Sequence, residues 1–117
     1  MDPTIADIAS AFAGHDFDTA IPHMADEVTW ILVGETQITG KDAVTAVCEA
    51  TTAELRSTTT EFTHFRTVLG DGCVVVDSTA EYIDHDGQRS LVSSCDLLDF
   101  RDGMITRIRS YNIELTP

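Results

Sequence analysis

Helical spacing of apolar residues predicts three helices in the first half of the chain. The first begins at the Asp2-Pro3 pair, a capping residue followed by proline, and it ends at Gly14. A short second helix follows Asp16 and is disturbed near its end by Pro22. The third covers about residues 41–56, and its stripe consists of Val44, Val47, Cys48, Thr51 and Leu55.

Strands are predicted where β-branched residues and period-two alternation replace the helical pattern. A short strand at residues 28–33 precedes the third helix. Four long strands are expected at about residues 58–69, 73–84, 88–101 and 104–115, with glycine-containing hairpin turns between them. This order predicts a single α+β domain over residues 1–117, in which a curved antiparallel sheet wraps like a cone around three N-terminal helices.

The composition narrows the classes of function. Hydrophobic residues are 43% and charged residues 23% of the 117 positions, which is typical of a globular domain. The formal net charge of −13 would repel a polyanion, so we expect no nucleic-acid partner. No apolar run reaches the roughly 20 residues of a membrane span, and no signal peptide is recognisable. We therefore expect a soluble, acidic, cytoplasmic protein that does not bind membranes.

Asp96 is the polar residue that fits its surroundings least. It lies in the predicted strand 88–101, where residues two apart share a face, so it points the same way as Leu98 and Phe100. An ionised carboxylate buried without partners is costly, and a raised pKa or dedicated hydrogen bonds relieve that cost. Asp96 therefore lies at a strand end open to water, makes a purely structural hydrogen bond, or lines a pocket.

If Asp96 faces inward, the surrounding elements build a small-molecule pocket around it. Trp30 and Leu32 would supply apolar walls, although Trp30 also suits simple core packing. The predicted ligand-binding residues of the inward register are Trp30, Leu32, Val76, Ser78, Ser94, Leu98, Ile108, Ser110 and Asn112.

The candidate catalytic residues are Asp96, His64 and Tyr82. A carboxyl group with a raised pKa can act as acid or base, and His64 or Tyr82 would be its partner. The face on which His64 lies stays open, because Phe62 and Phe65 favour opposite registers. A histidine that is partly solvated and takes no part in catalysis is the alternative for His64.

The sequence contains no recognisable metal-binding or cofactor-binding motif. His15, His23 and His85 lack ligand spacing to one another, and no phosphate-binding loop or nucleophile elbow is present. The cysteines lack paired spacing, so we expect three reduced core thiols, Cys48, Cys73 and Cys95. We expect neither a metal nor a cofactor.

The outward register of the sheet is too apolar to be left in water. We expect it to form a homodimer, in which Arg107 and Arg109 would pair with acidic residues of the second copy. The residues of this outer sheet face are Val75, Thr79, Ile83, Leu91, Ser93, Cys95, Leu97, Ile105, Tyr111 and Ile113.

Three short segments carry a resemblance to a known family. They are residues 25–30 (ADEVTW), 40–44 (GKDAV) and 99–105 (DFRDGMI). With the order of elements, they resemble the nuclear transport factor 2-like superfamily, and the SnoaL-like branch is most similar. The resemblance covers essentially the whole chain and implies the cone fold. Relatives include ketosteroid isomerases, polyketide cyclases, dehydratases, epoxide hydrolases and non-catalytic modules, so the fold alone does not decide the activity.

The resemblance implies that only some of the catalytic residues of each related enzyme class are present at the matching positions of this chain. Asp96 falls on the position of the protonated oxyanion-hole aspartate of ketosteroid isomerases, whereas their general base and tyrosine fall at Leu32 and near Ile8. The acidic residue on the last strand of cyclases and epoxide hydrolases falls at Asn112, and the epoxide hydrolase arginine falls at Ser94.

Two classes of function remain open from the sequence. The first is a small-molecule-binding SnoaL-like protein that acts as a cofactor-independent isomerase, cyclase or dehydratase on a small apolar substrate. The alternative is a non-catalytic ligand-binding module, or a dimerisation and association module. Two titratable groups within reach of one ligand atom would favour the enzyme, and one isolated carboxylate would favour binding.

Overall fold

The computed structural model describes residues 3–115. Its helices are α1 (Ile5–Ala13), α2 (Phe17–Ala20), a short 3₁₀ helix (Ile21–His23) and α3 (Lys41–Leu55). The strands are β1 (Met24–Leu32), β2 (Thr36–Thr39), β3 (Thr59–Leu69), β4 (Cys73–Ile83), β5 (Arg89–Arg101) and β6 (Met104–Glu114). The four long strands lie where the alternation predicts them, within one residue at each end.

Helix α1 begins at a capping box rather than at the predicted Asp2-Pro3 cap. The backbone N–H of Asp7 donates to Thr4 Oγ1 over 3.1 Å, and the Thr4 N–H donates to Asp7 Oδ2 over 3.0 Å. Asp2 lies outside the described residues, and Pro3 precedes the actual cap. The prediction is wrong because Thr4 has a carboxylate three residues later, and this reciprocal pair satisfies two helix-end donors.

The sheet is mixed, which corrects the expectation of an antiparallel one. Its strand order is β2-β1-β6-β5-β4-β3, and β3 to β6 form the predicted antiparallel meander. Strand β1 pairs in parallel with β6, with Trp30 beside Ile108, and antiparallel with β2. A parallel pair needs a long crossover connection, which β2, α3 and the meander provide. The predicted α+β class, with three helices and a curved open sheet, is confirmed.

Two β-bulges determine the faces on which His64 and Ile105 lie. In β3, Phe62 lies opposite Ala80 and His64 opposite Thr79, so Thr63 is an extra residue. His64 therefore points to the outer sheet face. In β6, Ile105 lies opposite Phe100 and Arg107 opposite Asp99. The extra residue, Thr106, turns Ile105 inward.

The hydrophobic core lies between the helices and one half of the inner sheet face. Ile105 has no exposed surface and belongs to this core, so its predicted position on the outer sheet face is wrong. Cys48 is also fully buried, whereas Cys73 and Cys95 are partly exposed on the outer sheet face, which corrects the expectation of three core thiols. All three cysteines are unbridged. None of the helices within residues 3–115 is long and apolar enough to cross a membrane.

Candidate functional site

A cavity of about 440 Å³ occupies the other half of the cone. Phe12 of α1 and Val47 of α3 cover it from the helix side, and β1, β4, β5 and β6 form its floor. The predicted site residues that line this cavity are Trp30, Leu32, Ser78, Tyr82, Ser94, Asp96, Ser110 and Asn112.

Asp96 ends a directed chain of hydrogen bonds from β1 through β6 to β5. Trp30 Nε1 donates to Ser110 Oγ over 2.9 Å, and Ser110 Oγ donates to Asp96 Oδ1 over 2.5 Å. An indole N–H can only donate, so Ser110 Oγ accepts from Trp30 and directs its own proton to Asp96 Oδ1. In this arrangement Oδ2, which makes no hydrogen bond within residues 3–115, is the oxygen left to carry a proton.

The environment of Asp96 favours the protonated carboxyl group. Asp96 is only 7% exposed, and burial raises its pKa because the charged form loses its hydration. The hydrogen bond from Ser110 lowers the pKa and is the smaller of the two effects. Asp96 can thus hold a proton at a higher pH than an ordinary aspartate and donate it, or a hydrogen bond, into the cavity.

A second polar pair, His15 and Tyr82, lines the same cavity. His15 Nε2 lies 3.0 Å from the Tyr82 hydroxyl, and the imidazole packs near the rings of Phe17 and Phe62 at 5.9 Å each. Burial lowers the pKa of His15, which favours the neutral imidazole. Burial and then the charge of Asp96 raise the pKa of Tyr82, so Asp96 and Tyr82 interact electrostatically.

Sequence reasoning assigned no role to His15. The residue follows α1 in a turn and has a left-handed backbone conformation, with φ of 68°, which histidine adopts more readily than most non-glycine residues. This conformation reverses the chain at Gly14 and brings the imidazole over the sheet. The sequence signal that could have pointed to His15 is its position as a titratable residue directly after α1, the helix whose apolar stripe covers the sheet.

The third polar pair is uncharged. Ser94 Oγ donates to Asn112 Oδ1 over 2.7 Å across β5 and β6. This bond uses the carbonyl oxygen of Asn112 and leaves its NH₂ group able to donate to another partner. The pair can therefore orient a ligand carbonyl or hydroxyl group, although it carries no acid or base.

Comparison with known proteins identifies the family. The family model of the SnoaL-like domain matches residues 5–108. The chain belongs to this family. Among solved structures, an NTF2-like protein of unknown function from Cytophaga hutchinsonii is 25% identical, with a TM-score of 0.80 over 91% of this chain and 93% of that chain. The resemblance inferred from the sequence is confirmed.

Two further structures share the fold of this SnoaL-like chain at lower identity. A putative polyketide cyclase from Xanthomonas campestris is 20% identical, with a TM-score of 0.70 over 89% of this chain and 83% of that chain. An LEH-like epoxide hydrolase from M. tuberculosis is 20% identical, with a TM-score of 0.67 over 94% of this chain and 84% of that chain. A comparison with curated proteins gave no match.

The remaining predicted site residues of the SnoaL-like chain do not reach the cavity. Val76, Leu98 and Ile108 face inward but are fully buried in the core beside it. His64 lies on the outer sheet face, about half exposed, with Nε2 2.9 Å from Asp77 Oδ2. Among residues 3–115, no group of three or more His, Cys, Asp or Glu side chains could hold a metal ion.

Proposed function

We propose that this SnoaL-like protein binds a small, largely apolar molecule and catalyses a cofactor-independent proton transfer on it. The reaction class is that of an isomerase, cyclase or dehydratase. The observation that carries the proposal is that Asp96 and the His15–Tyr82 pair line one cavity. General acid–base catalysis needs an acid and a base of suitable pKa in one water-poor site.

The two groups divide the proton transfer between them. Asp96, protonated on Oδ2, donates a hydrogen bond to a carbonyl oxygen of the substrate and stabilises the negative charge that develops there. The neutral His15–Tyr82 pair accepts a proton from the carbon next to the carbonyl, and the electron pair of that C–H bond forms the enolate double bond. Where a carbon–carbon double bond of the substrate is conjugated with the enolate, return of the proton to the far carbon of the conjugated system completes an isomerisation. His15 thus takes the role for which the sequence suggested His64.

Ligand binding without turnover is the second candidate function. Ser94 and Asn112 stand where the resemblance implies an arginine and an acidic catalytic residue, and they are bonded to each other as neutral groups. A buried carboxyl group beside neutral polar pairs is suited to holding a ligand. The two candidates differ in whether a bound ketone exchanges its protons.

Deuterium exchange separates the two candidates. β-Tetralone, a compact apolar ketone, is incubated with the protein in deuterated buffer, and loss of its α-proton signals is followed by NMR. We expect exchange faster than in buffer, with a loss of about tenfold or more in Asp96→Asn and in His15→Gln. The matched controls, Asp77→Asn and His64→Gln, change the same residue types on the outer sheet face and should retain the rate. Saturable binding of the ketone without accelerated exchange would establish the non-catalytic alternative.

We further propose that residues 1–117 act as one cytoplasmic domain that forms a homodimer through the outer sheet face. Tyr111 is 38% and Ile113 61% exposed there, next to half-buried Leu97 and Cys95. Such contiguous apolar surface favours association. Arg107 bonds Asp99 and Arg109 bonds Tyr111 within the chain, so these arginines are already held in place on the face that would meet the second copy.

A further inference from the structure

The wall of the cavity carries negative charge without a matching cation. Beside the protonated Asp96, its carboxyl groups are those of Glu35 and Glu54, which are exposed at its edge, and among residues 3–115 neither Lys nor Arg lines it. His15, the basic residue of the wall, has a lowered pKa because it is buried. The chain as a whole has a formal net charge of −13, so the field at the cavity is negative at long and short range.

The end of α3 adds to this negative potential. Thr51 and Glu54 of its last turns line the cavity, and the unpaired carbonyl groups of a helix C-terminus carry a partial negative charge. A glutamate at this end is unfavourable for the helix, and the nearest basic residue, Arg56, is the C-cap outside the last turn. Residues that oppose local stability concentrate at functional sites.

The carboxylates that line the cavity have unused acceptor capacity. Within residues 3–115, the side chains of Glu35 and Glu54 make no ion pair or hydrogen bond. Asp96, which also lines the cavity, is 7% exposed, and its Oδ2 makes no hydrogen bond within residues 3–115, so this oxygen is left for the hydroxyl or carbonyl group of a ligand. Arg56 lines a smaller neighbouring cavity of about 340 Å³ and forms no ion pair within residues 3–115.

We propose that the ligand carries a cationic group, such as a protonated amine, at the end held by Glu35 and Glu54. Its apolar body lies against Trp30 and Phe12, and its hydroxyl or carbonyl group reaches Asp96. The inference rests on the proposed small-molecule function and adds the charge class of the ligand. It excludes fatty acids, phosphate esters and other anions as ligands of this cavity.

Three adamantane derivatives of similar shape test the charge class directly. Adamantanol is neutral, adamantanamine is cationic and adamantanecarboxylate is anionic, and none absorbs where tryptophan does. Trp30 is the one tryptophan of the chain and lines the cavity, so its fluorescence reports binding. At low salt we expect the amine to bind about tenfold or more tightly than the carboxylate, and the gap to narrow at physiological salt.

Two charge-matched double variants separate the local field from the net charge. Glu35→Gln with Glu54→Gln, and Asp71→Asn with Asp102→Asn, each remove two negative charges. Asp71 and Asp102 lie in the hairpin turns at the end of the sheet opposite to Tyr82. We expect the first pair to reduce the preference for the amine about threefold or more and the second pair to leave it nearly unchanged.

The outcomes distinguish this inference from the function on which it rests. If adamantanol binds but the carboxylate binds as tightly as the amine, the charge class is wrong and the binding site stands. Equal effects of the two double variants would also overturn it, because the preference would then come from net charge alone. If none of the three probes binds saturably, the proposed small-molecule function fails, and this inference fails with it.

Discussion

Replacing Ser110 with alanine perturbs the hydrogen-bond chain at its middle member. Ser110 is 2% exposed and is the partner of both Trp30 Nε1 and Asp96 Oδ1. The substitution removes one oxygen atom and no carbon, so the side-chain volume changes little. Its effect comes from the two buried polar groups that lose their partner.

The size of the effect follows from the cost of unpaired buried groups. A buried donor or acceptor without a partner costs about 1–3 kcal/mol, so we expect the free energy of unfolding to fall by about 2 kcal/mol. The hydrogen bond from Ser110 lowers the pKa of Asp96, so its loss should raise that pKa further. Ser78→Ala is the matched control, because Ser78 is equally buried on the inner face and its hydroxyl makes no hydrogen bond within residues 3–115.

Urea unfolding followed by circular dichroism measures the loss in free energy of unfolding. A double-mutant cycle shows how much of that loss comes from the unpaired indole of Trp30. In a Trp30→Phe background no indole N–H is left unpaired, so Ser110→Ala should cost about 1 kcal/mol less than in the wild type. The Ser78→Ala control should stay within about 0.5 kcal/mol of the wild type. A cost for Ser110→Ala no larger than that of the control, together with an unchanged Asp96 pKa, would refute the chain of hydrogen bonds.

Three other predictions test separate parts of the structure. Burial raises the pKa of Asp96 above the ordinary value of 3.8, so between pH 3.8 and the folded-state pKa the folded protein binds more protons than the unfolded chain. The free energy of unfolding should therefore fall as the pH rises from 3.8 through the folded-state pKa. Chemical denaturation across this range should show that the decline is smaller in Asp96→Asn, and identical curves would contradict it. Leu97→Asp on the outer sheet face should convert a dimer to monomers in sedimentation, whereas the control Thr36→Asp should leave the dimer intact. A wild-type protein that sediments as a monomer at micromolar concentration would disprove dimerisation. Cys48 is fully buried and its pKa is raised to about 11, so thiol titration should modify it only on unfolding, after Cys73 and Cys95; early reaction of all three would contradict this.

The sequence was most informative for the long strands and their turns. In β4, more and less buried positions alternate from Cys73 to Ala80, and the pairing of Val76 with Asp96 places Asp96 on the same inward face. Strand β2 has only four residues, too few for an alternation to stand out from a turn. Its absence from the prediction also hid the parallel pairing of β1 with β6.

Local irregularities explain why the face of His64 stayed open and why that of Ile105 was predicted wrongly. Phe62 and His64 are two apart, and alternation would put them on one face, yet the extra residue Thr63 places them on opposite faces. The same effect at Thr106 moved Ile105 into the core. A bulge of this kind leaves no signal in a single sequence, because threonine is also an ordinary strand residue.

The contribution of His15 depends on contacts that are distant in sequence. Its partner Tyr82 lies 67 residues away, and only the packing of α1 against the sheet brings them together. Hydrophobic periodicity reports which face of an element is buried, and it does not report which turn ends above a cavity.

We infer that the carboxyl group of Asp96 keeps its proton to a higher pH than an ordinary aspartate and serves a ligand in the cavity. Carboxyl-carbon NMR of Asp96, titrated with pH in the absence and presence of adamantanol, measures this directly. We expect a pKa above that of an ordinary aspartate, because the carboxyl group is buried, and a clear shift of that pKa when the ligand binds. An ordinary or lowered pKa that does not respond to saturating ligand would contradict the claim.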